Sequence, residues 1–207
     1  MNTVCLEPIG SNCEVGFVLN SLGNNRPSLF RWTAIDAAGF AKLLDNNFVD
    51  CYERSTVRPH TPEMVVSDPY QWAFHSALHS SPEGEFTASG NRLARLFEIE
   101  RARVLHAIEI FRSRLKKGGV VATFSTPAVH DQDAIIILAA IDRFSGHGTN
   151  RVLMVGPPSE DQLPPGEIRA ISNRASRGAV AWLAAYDQAD NADYGNWRRI
   201  LAQMVSE

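Results

Sequence analysis

Val120-Val121-Ala122-Thr123-Phe124-Ser125 is followed by a segment from Asp131 to Phe144, by Gly146 and Gly148, and then by Arg151-Val152-Leu153-Met154-Val155. The first and last of these runs are almost continuously apolar, the composition of strands buried on both faces of a parallel sheet. Between them, Asp131 and Asp133 stand where a helix N-terminus favours negative charge, and the glycines stand where a helix stops. Ile135-Ile136-Ile137 fits either a strand or a helix by itself, but the length and acidic start of the segment favour a buried helix. Strand, helix and strand in this span predict a right-handed βαβ unit with its two strands parallel in one sheet.

Working outward, Gly118-Gly119 ends a long helix predicted from about Leu93 to Lys117, with Phe97, Val104, Ile108, Phe111 and Leu115 on its apolar face. Glu98 and Glu100 near its start and Arg112, Arg114, Lys116 and Lys117 near its end match the helix dipole, and the basic cluster reads as a solvated face. Downstream, Ile168–Ile171 and Ala179–Tyr186 read as strands, and Asn196 as the cap of a last helix burying Trp197, Ile200, Leu201 and Met204. Upstream, Thr3–Pro8 reads as a strand. Thr33 and Asp36 have the T-x-x-D spacing of a cap on a helix that buries Phe40, Leu43 and Leu44. Met64–Val66 and Tyr70–His75 read as strands in a Phe48–Pro69 region and its sequel that Pro59, Pro62 and Pro69 make irregular. The alternation of strands and helices predicts an α/β fold, a three-layer sandwich with a mainly parallel sheet, in a single domain spanning 1–207.

A chain of 207 residues that is 44% apolar can bury one sizeable core. Its net charge of −3 supplies no basic field, so neither nucleic acid nor an anionic membrane is an expected partner. Ala134–Ile141, the longest apolar run, is far shorter than the ~20 residues of a membrane span. The start of the chain, interrupted by Glu7 and Asn12, does not read as a signal peptide. Cys5, Cys13 and Cys51 form no even framework and no C-x-x-C pair, which suits a reducing cytoplasm. A soluble, cytoplasmic protein is expected.

Candidate chemistry gathers in Ile9-Gly10-Ser11-Asn12-Cys13-Glu14-Val15-Gly16-Phe17, at the end of the first strand. Ser11 and Glu14 have the spacing of a capping box, Val15, Val18, Leu19 and Leu22 follow at helical spacing, and Gly23 suits a left-handed C-cap. Cys13 then falls at the second helical position, where the dipole lowers a thiol pKa and favours the nucleophilic thiolate. A capping box and a packed cysteine explain the same residues without catalysis. A thiol nucleophile needs a base and a group that holds the base. Among the six histidines, His106 lies in the long helix and His147 in a glycine turn; His75 ends an alternating strand with its ring toward a loop region, and is the candidate base. Asp131 or Asp133 is the candidate third member, since ligands collect at the carboxyl ends of parallel strands.

Gly10-Ser11-Asn12-Cys13-Glu14-Val15-Gly16-Phe17, Ser28-Leu29-Phe30-Arg31-Trp32 and Phe74-His75 together resemble a bacterial family of uncharacterised domains grouped with the papain-like cysteine peptidases. The family looks alike in a G-x-x-C start, an aromatic-x-Trp element shortly after, and an F-H or F-x-H element further on. The resemblance spans roughly the first half of the chain and implies a cysteine hydrolase acting on a small-molecule or peptide substrate, with Cys13 as nucleophile, His75 as base and no cofactor. Papain-like peptidases carry an oxyanion-hole glutamine upstream of the cysteine. None precedes Cys13, so Asn12 or the Cys13 backbone N–H is the expected donor. Gly10, Ser11, Asn12, Arg31 and Trp32 are the candidate binding residues around the thiol.

Two other readings stay open on the sequence. In a hydrolase of the SGNH type Ser11 would act, but that class needs D-x-x-H near the C-terminus, and no histidine follows Asp187, Asp190 or Asp193. In a non-catalytic or transferase-associated module, Gly10, Ser11 and Asn12 would hold a phosphate or sugar-phosphate at the helix N-terminus, with Arg31 or Arg26 supplying charge. Glycine-rich nucleotide motifs and metal-ligand spacings are missing, so no metal is expected either.

Overall fold

The computed structural model describes residues 5–158 and 163–206, so Thr3 and Val4 of the predicted first strand lie outside the described residues. In chain order the strands are β1 (Cys5–Gly10), β2 (Thr33–Ala34), β3 (Val57–Thr61), β4 (Met64–Ser67), β5 (Trp72–His75), β6 (Val120–Ser125), β7 (Arg151–Gly156), β8 (Ile168–Ala170) and β9 (Ala175–Ala179). The helices are α1 (Glu14–Ser21), α2 (Ala37–Asp45), α3 (Gly90–Lys117), α4 (Asp131–Ser145) and α5 (Tyr194–Ser206).

The predicted βαβ unit is present: β6 and β7 pair in parallel, Val121 against Arg151 through Ser125 against Val155, with α4 between them. They form the centre of a five-stranded sheet of order β1-β6-β7-β9-β8, in which only β8 runs antiparallel to its neighbour. The strands bury both faces because their composition allows it. Val120, Ala122, Phe124, Val152 and Met154 join a core with α2, α3 and α4, while Val121, Leu153 and Val155 join a second core with α1 and α5. Alternation along a strand puts these two sets on opposite faces.

A second, four-stranded antiparallel sheet of order β2-β5-β4-β3 departs from the expected single sheet. The protein is therefore mixed α/β, with a mainly parallel sheet and a smaller antiparallel one. β3 lies inside the region read as irregular. Its Pro59 cannot donate to a ladder, and the strand accommodates it by lying at the sheet edge, with a register shift between Pro59 and Thr61. The sheets meet where the Ile35 N–H, just past β2, donates to the Gly10 carbonyl at the end of β1 (2.8 Å).

An aromatic cluster holds the antiparallel sheet against α2 and α3. Phe30 lies 5.3 Å from Phe40, 5.3 Å from Trp72 and 5.2 Å from Phe111, and Phe74 packs on Trp72 and Tyr52. Such offset and edge-on pairs add to the large apolar area each ring buries. Three further expectations are corrected. Thr33 belongs to β2, with its hydroxyl donating to the Phe30 carbonyl, and Asp36 alone caps α2 by accepting the Gly39 N–H (2.6 Å). The strand predicted over Ala179–Tyr186 lies earlier, as β9 over Ala175–Ala179: past it the Val180 N–H still donates to the Gly156 carbonyl of β7 (3.0 Å), but the Ala181 N–H donates to Asp193 and the Ala184 N–H to Glu14. Asp193, rather than Asn196, serves the start of α5, accepting the Asn196 N–H (3.3 Å). Among the described residues no helix is long and apolar enough to cross a membrane.

Candidate active site

Gly10 ends β1 opposite Ser125 of β6, so close that a Cβ on it would lie 2.3 Å from the Ser125 hydroxyl. The chain turns there into α1, which begins at Glu14 with Cys13 as its N-cap residue. The capping box does not form. The Ser11 hydroxyl donates to the Ser125 carbonyl (3.4 Å), and the Glu14 N–H is accepted by the Asn12 side chain (3.0 Å). Glu14 has stronger demands on it than folding back to a cap: its carboxylate accepts the Trp197 indole N–H at 2.7 Å and the Ala184 N–H at 2.9 Å. The Asn12 amide in turn donates to the Ala184 carbonyl at 2.9 Å. The residues on either side of Cys13 thus grip both backbone groups of Ala184, and so hold the irregular segment that follows β9 over the thiol. At the other end of α1, Gly23 takes the predicted left-handed conformation (φ 72°).

Cys13 lines a cavity of about 510 Å³. Phe17 of α1, the Thr61–Met64 turn between β3 and β4, His75 and the segment from Tyr186 to Asp190 complete its wall. Cys13 and His75 therefore share one cavity although 62 positions separate them. The route is traceable. β1 ends at the junction with β2, β2 pairs with β5 through Thr33–Phe74 and Ala34–Ala73, and the His75 N–H donates to the Trp32 carbonyl (3.2 Å). Helix α1 closely approaches the turn just before β2 at Gly16, where a Cβ would lie 2.5 Å from the Arg31 carbonyl oxygen. Cys13 is 8% exposed, and among the described residues neither its thiol nor its backbone N–H has a hydrogen-bond partner. His75 is exposed, and no hydrogen bond joins it to Cys13.

The thiol is not the activated one that the sequence predicts. Burial pushes Cys13 up to about 11. The cap position carries it just outside the first helical turn, and removal from water disfavours the thiolate. The Tyr186 hydroxyl is also pushed up, first by burial and then by the charge of the nearby Cys13 when ionised. That hydroxyl lies 3.0 Å from the Met64 sulfur, and the Tyr186 ring packs edge-on against His60.

The other candidates fall elsewhere. Asp131 begins α4 and pairs with Arg169 of β8 (3.0 Å), away from the cavity lining. The two strand-to-helix loops feed helices on opposite faces of the parallel sheet, α1 on one and α4 on the other, and neither Asp131 nor Asp133 lines the cavity that holds Cys13. Glu100 is the buried carboxylate that shares a cavity with His75, a smaller one of about 200 Å³ that Trp32 also lines. Glu100 accepts from the Ser76 hydroxyl and from Arg103. Arg31 is buried and donates to the Asn20 side chain (2.6 Å) and the Asn24 carbonyl (2.7 Å), tying down the link after α1. Trp32 packs edge-on against Phe17. Ser11 lines a separate cavity of about 300 Å³ with Asp36 and His60, but its hydroxyl is directed at Ser125 and Asp36 is engaged as a cap. The residues that sequence reasoning missed are Glu63, Tyr186, Asp187 and Asp190. They lie in a hairpin turn and an irregular segment, where no periodicity marks them.

Comparison of the chain with protein-family models, with curated proteins and with solved structures gave no match.

Proposed function

We propose that the protein is a cysteine hydrolase of the papain-like kind, acting on an amide, ester or thioester carbonyl, with Cys13 as nucleophile and His75 as base. The observation that carries this is the shared cavity: a buried thiol without a partner and an exposed imidazole line one recess, brought there by two different sheets. The three-layer reading of the parallel sheet goes with it, supported by the two apolar cores on its opposite faces. The phosphate-binding alternative has less behind it, because the charged groups of the recess are carboxylates and Arg31 is committed to Asn20 and Asn24.

In this proposal the imidazole takes the proton from the Cys13 thiol as sulfur adds to the substrate carbonyl. The Cys13 backbone N–H, unpartnered among the described residues, is the available oxyanion donor; the Asn12 amide is committed to Ala184. The tetrahedral adduct collapses, the imidazolium protonates the leaving amine, alcohol or thiol, and a thioester to Cys13 remains. Water, deprotonated by His75, then releases the acid and restores the thiol. Because burial holds the resting thiol protonated, proton transfer to the base accompanies attack. The test is a panel of p-nitrophenyl esters and acyl thioesters. Cys13→Ala is expected to abolish turnover, Cys5→Ala and Cys51→Ala to leave it, and His75→Ala to cut it about 10²–10⁴-fold. Turnover that persists in Cys13→Ala would remove the thiol from the reaction.

A further inference from the structure

We infer that the recess over Cys13 is built for a substrate carrying an organic cation, a lysine- or arginine-like side chain or a related amine, which Glu63, Asp187 and Asp190 attract. This deepens the hydrolase proposal and rests on it for the role of the thiol. Among the described residues of the lining, the acidic side chains are these three carboxylates, and no lysine or arginine is present. They come from two separate parts of the chain, the turn between β3 and β4 and the segment after β9.

Several acidic side chains elsewhere on this surface are neutralised by a basic neighbour. Asp45 pairs with Arg143, Glu53 with Arg101, Asp68 with Arg58, Asp131 with Arg169 and Asp142 with Arg174. Among the described residues Glu63, Asp187 and Asp190 have no ion pair, and all three are exposed. The second observation is the thiol itself, nine-tenths buried, unpartnered and lining the same recess.

The remaining lining suits the rest of such a ligand. Phe17, Pro62, Met64 and Ala189 offer an apolar surface for methylenes, and Phe17 and Tyr186 add aromatic rings, a side-chain type that attracts cations. A volume of about 510 Å³ lies within the roughly 300–1,000 Å³ of small-molecule sites. A metal ion is a poorer occupant, because among the described residues no three His, Cys, Asp or Glu side chains are grouped to hold one. A bound cation would also favour the thiolate that burial suppresses.

The test uses the full chain in a Cys5→Ser, Cys51→Ser background. Cys13 is modified with methanethiosulfonates of opposite charge, the trimethylammonium-ethyl and the sulfonatoethyl reagents, each rate normalised to 2-mercaptoethanol. At low salt the cationic reagent is expected to be favoured by about tenfold or more, and the preference is expected to shrink as salt is raised. Glu63→Gln, Asp187→Asn and Asp190→Asn combined, all at exposed positions, are expected to bring the two rates to within about twofold. Where Cys13 reacts, equal normalised rates in the parent chain, or a faster anionic reagent, would overturn the cation site. Binding of Nα-acetyl-arginine amide against Nα-acetyl-glutamate amide to Cys13→Ser, followed by calorimetry, separates the two proposals. Preference for the arginine amide with a Cys13 inert to both reagents keeps the cation site and removes the nucleophile. A reactive Cys13 with no charge preference and no arginine binding removes the cation site and leaves the nucleophile.

Discussion

Cys13 and His75 reach one cavity from sheets built on opposite plans. The thiol follows β1, in parallel register with β6 and backed by helices, and is buried. The imidazole ends β5, central in a small antiparallel sheet with buried Trp72, Ala73 and Phe74 before it, and is itself exposed. One strand hides its reactive group and the other presents it. The difference explains why burial raises the Cys13 thiol pKa; in the proposed dyad, protection and activation are supplied by separate halves, and activation falls to a base brought in from outside the parallel sheet.

The comparison breaks most severely if the antiparallel half is unpinned. Phe30 is 1% exposed and touches Phe40, Trp72 and Phe111, so Phe30→Ala is expected to cost about 3–5 kcal/mol in urea unfolding. A loss below 1 kcal/mol would mean that the aromatic cluster does not hold β5.

On the β1 side, Glu7 is fully buried, bonded to the Ser28 hydroxyl and near Arg114, and burial nonetheless pushes its carboxyl up to about 7. In the folded state Glu7 therefore binds a proton that the unfolded chain has already released. Stability falls as pH rises from the unfolded value near 4.5 through about 7, and is level above. The expected loss is on the order of 3 kcal/mol across that window, and Glu7→Gln is expected to flatten this contribution. Urea midpoints of both proteins between pH 4.5 and 8 check it; parallel profiles would show that Glu7 does not couple to folding.

The smallest effect expected is at the clamp between α1 and the segment after β9. Asn12→Ala removes a donor to the Ala184 carbonyl and an acceptor for the Glu14 N–H, at a cost of about 1–3 kcal/mol. If the clamp holds the Tyr186–Asp190 wall, amide hydrogen exchange in that segment speeds up while exchange in β6 and β7 does not. An unchanged segment would show that Asn12 does not hold it.

The same contrast explains what was legible in the residues. Val120–Ser125, Asp131–Phe144 and Arg151–Val155 were readable because a strand buried on both faces and a helix closed by glycine each follow from local composition, and each matches its predicted place. Cys13 at a strand-to-helix turn was readable for the same reason. Antiparallel pairing of β2 through β5 was not, since Pro59 in β3 and the two-residue β2 carry too little pattern. The roles of Asn12 and Glu14 were hidden because their partners, Ala184 and Trp197, lie 170 or more positions away. Helix-cap spacing suggested a lowered thiol pKa, and only the tertiary burial of Cys13 reverses that direction. Asp131 was misplaced because its partner, Arg169 of β8, lies 38 positions away, a contact that local pattern does not announce.

Cys51 supplies the control for the most direct test of the proposed dyad. Burial pushes both Cys13 and Cys51 up to about 11, but Cys51 lies in the aromatic core and lines neither the 510 Å³ recess nor the smaller one beside it. The measurement is iodoacetamide labelling at pH 7.5, resolved cysteine by cysteine by mass spectrometry, in the parent chain and in His75→Ala. If His75 acts as the base, Cys13 labels at least about tenfold faster than Cys51, and His75→Ala slows Cys13 by a similar factor while leaving Cys51 unchanged. If Cys13 labels no faster than Cys51, or His75→Ala leaves its rate as it was, the thiol and imidazole share a cavity without sharing chemistry.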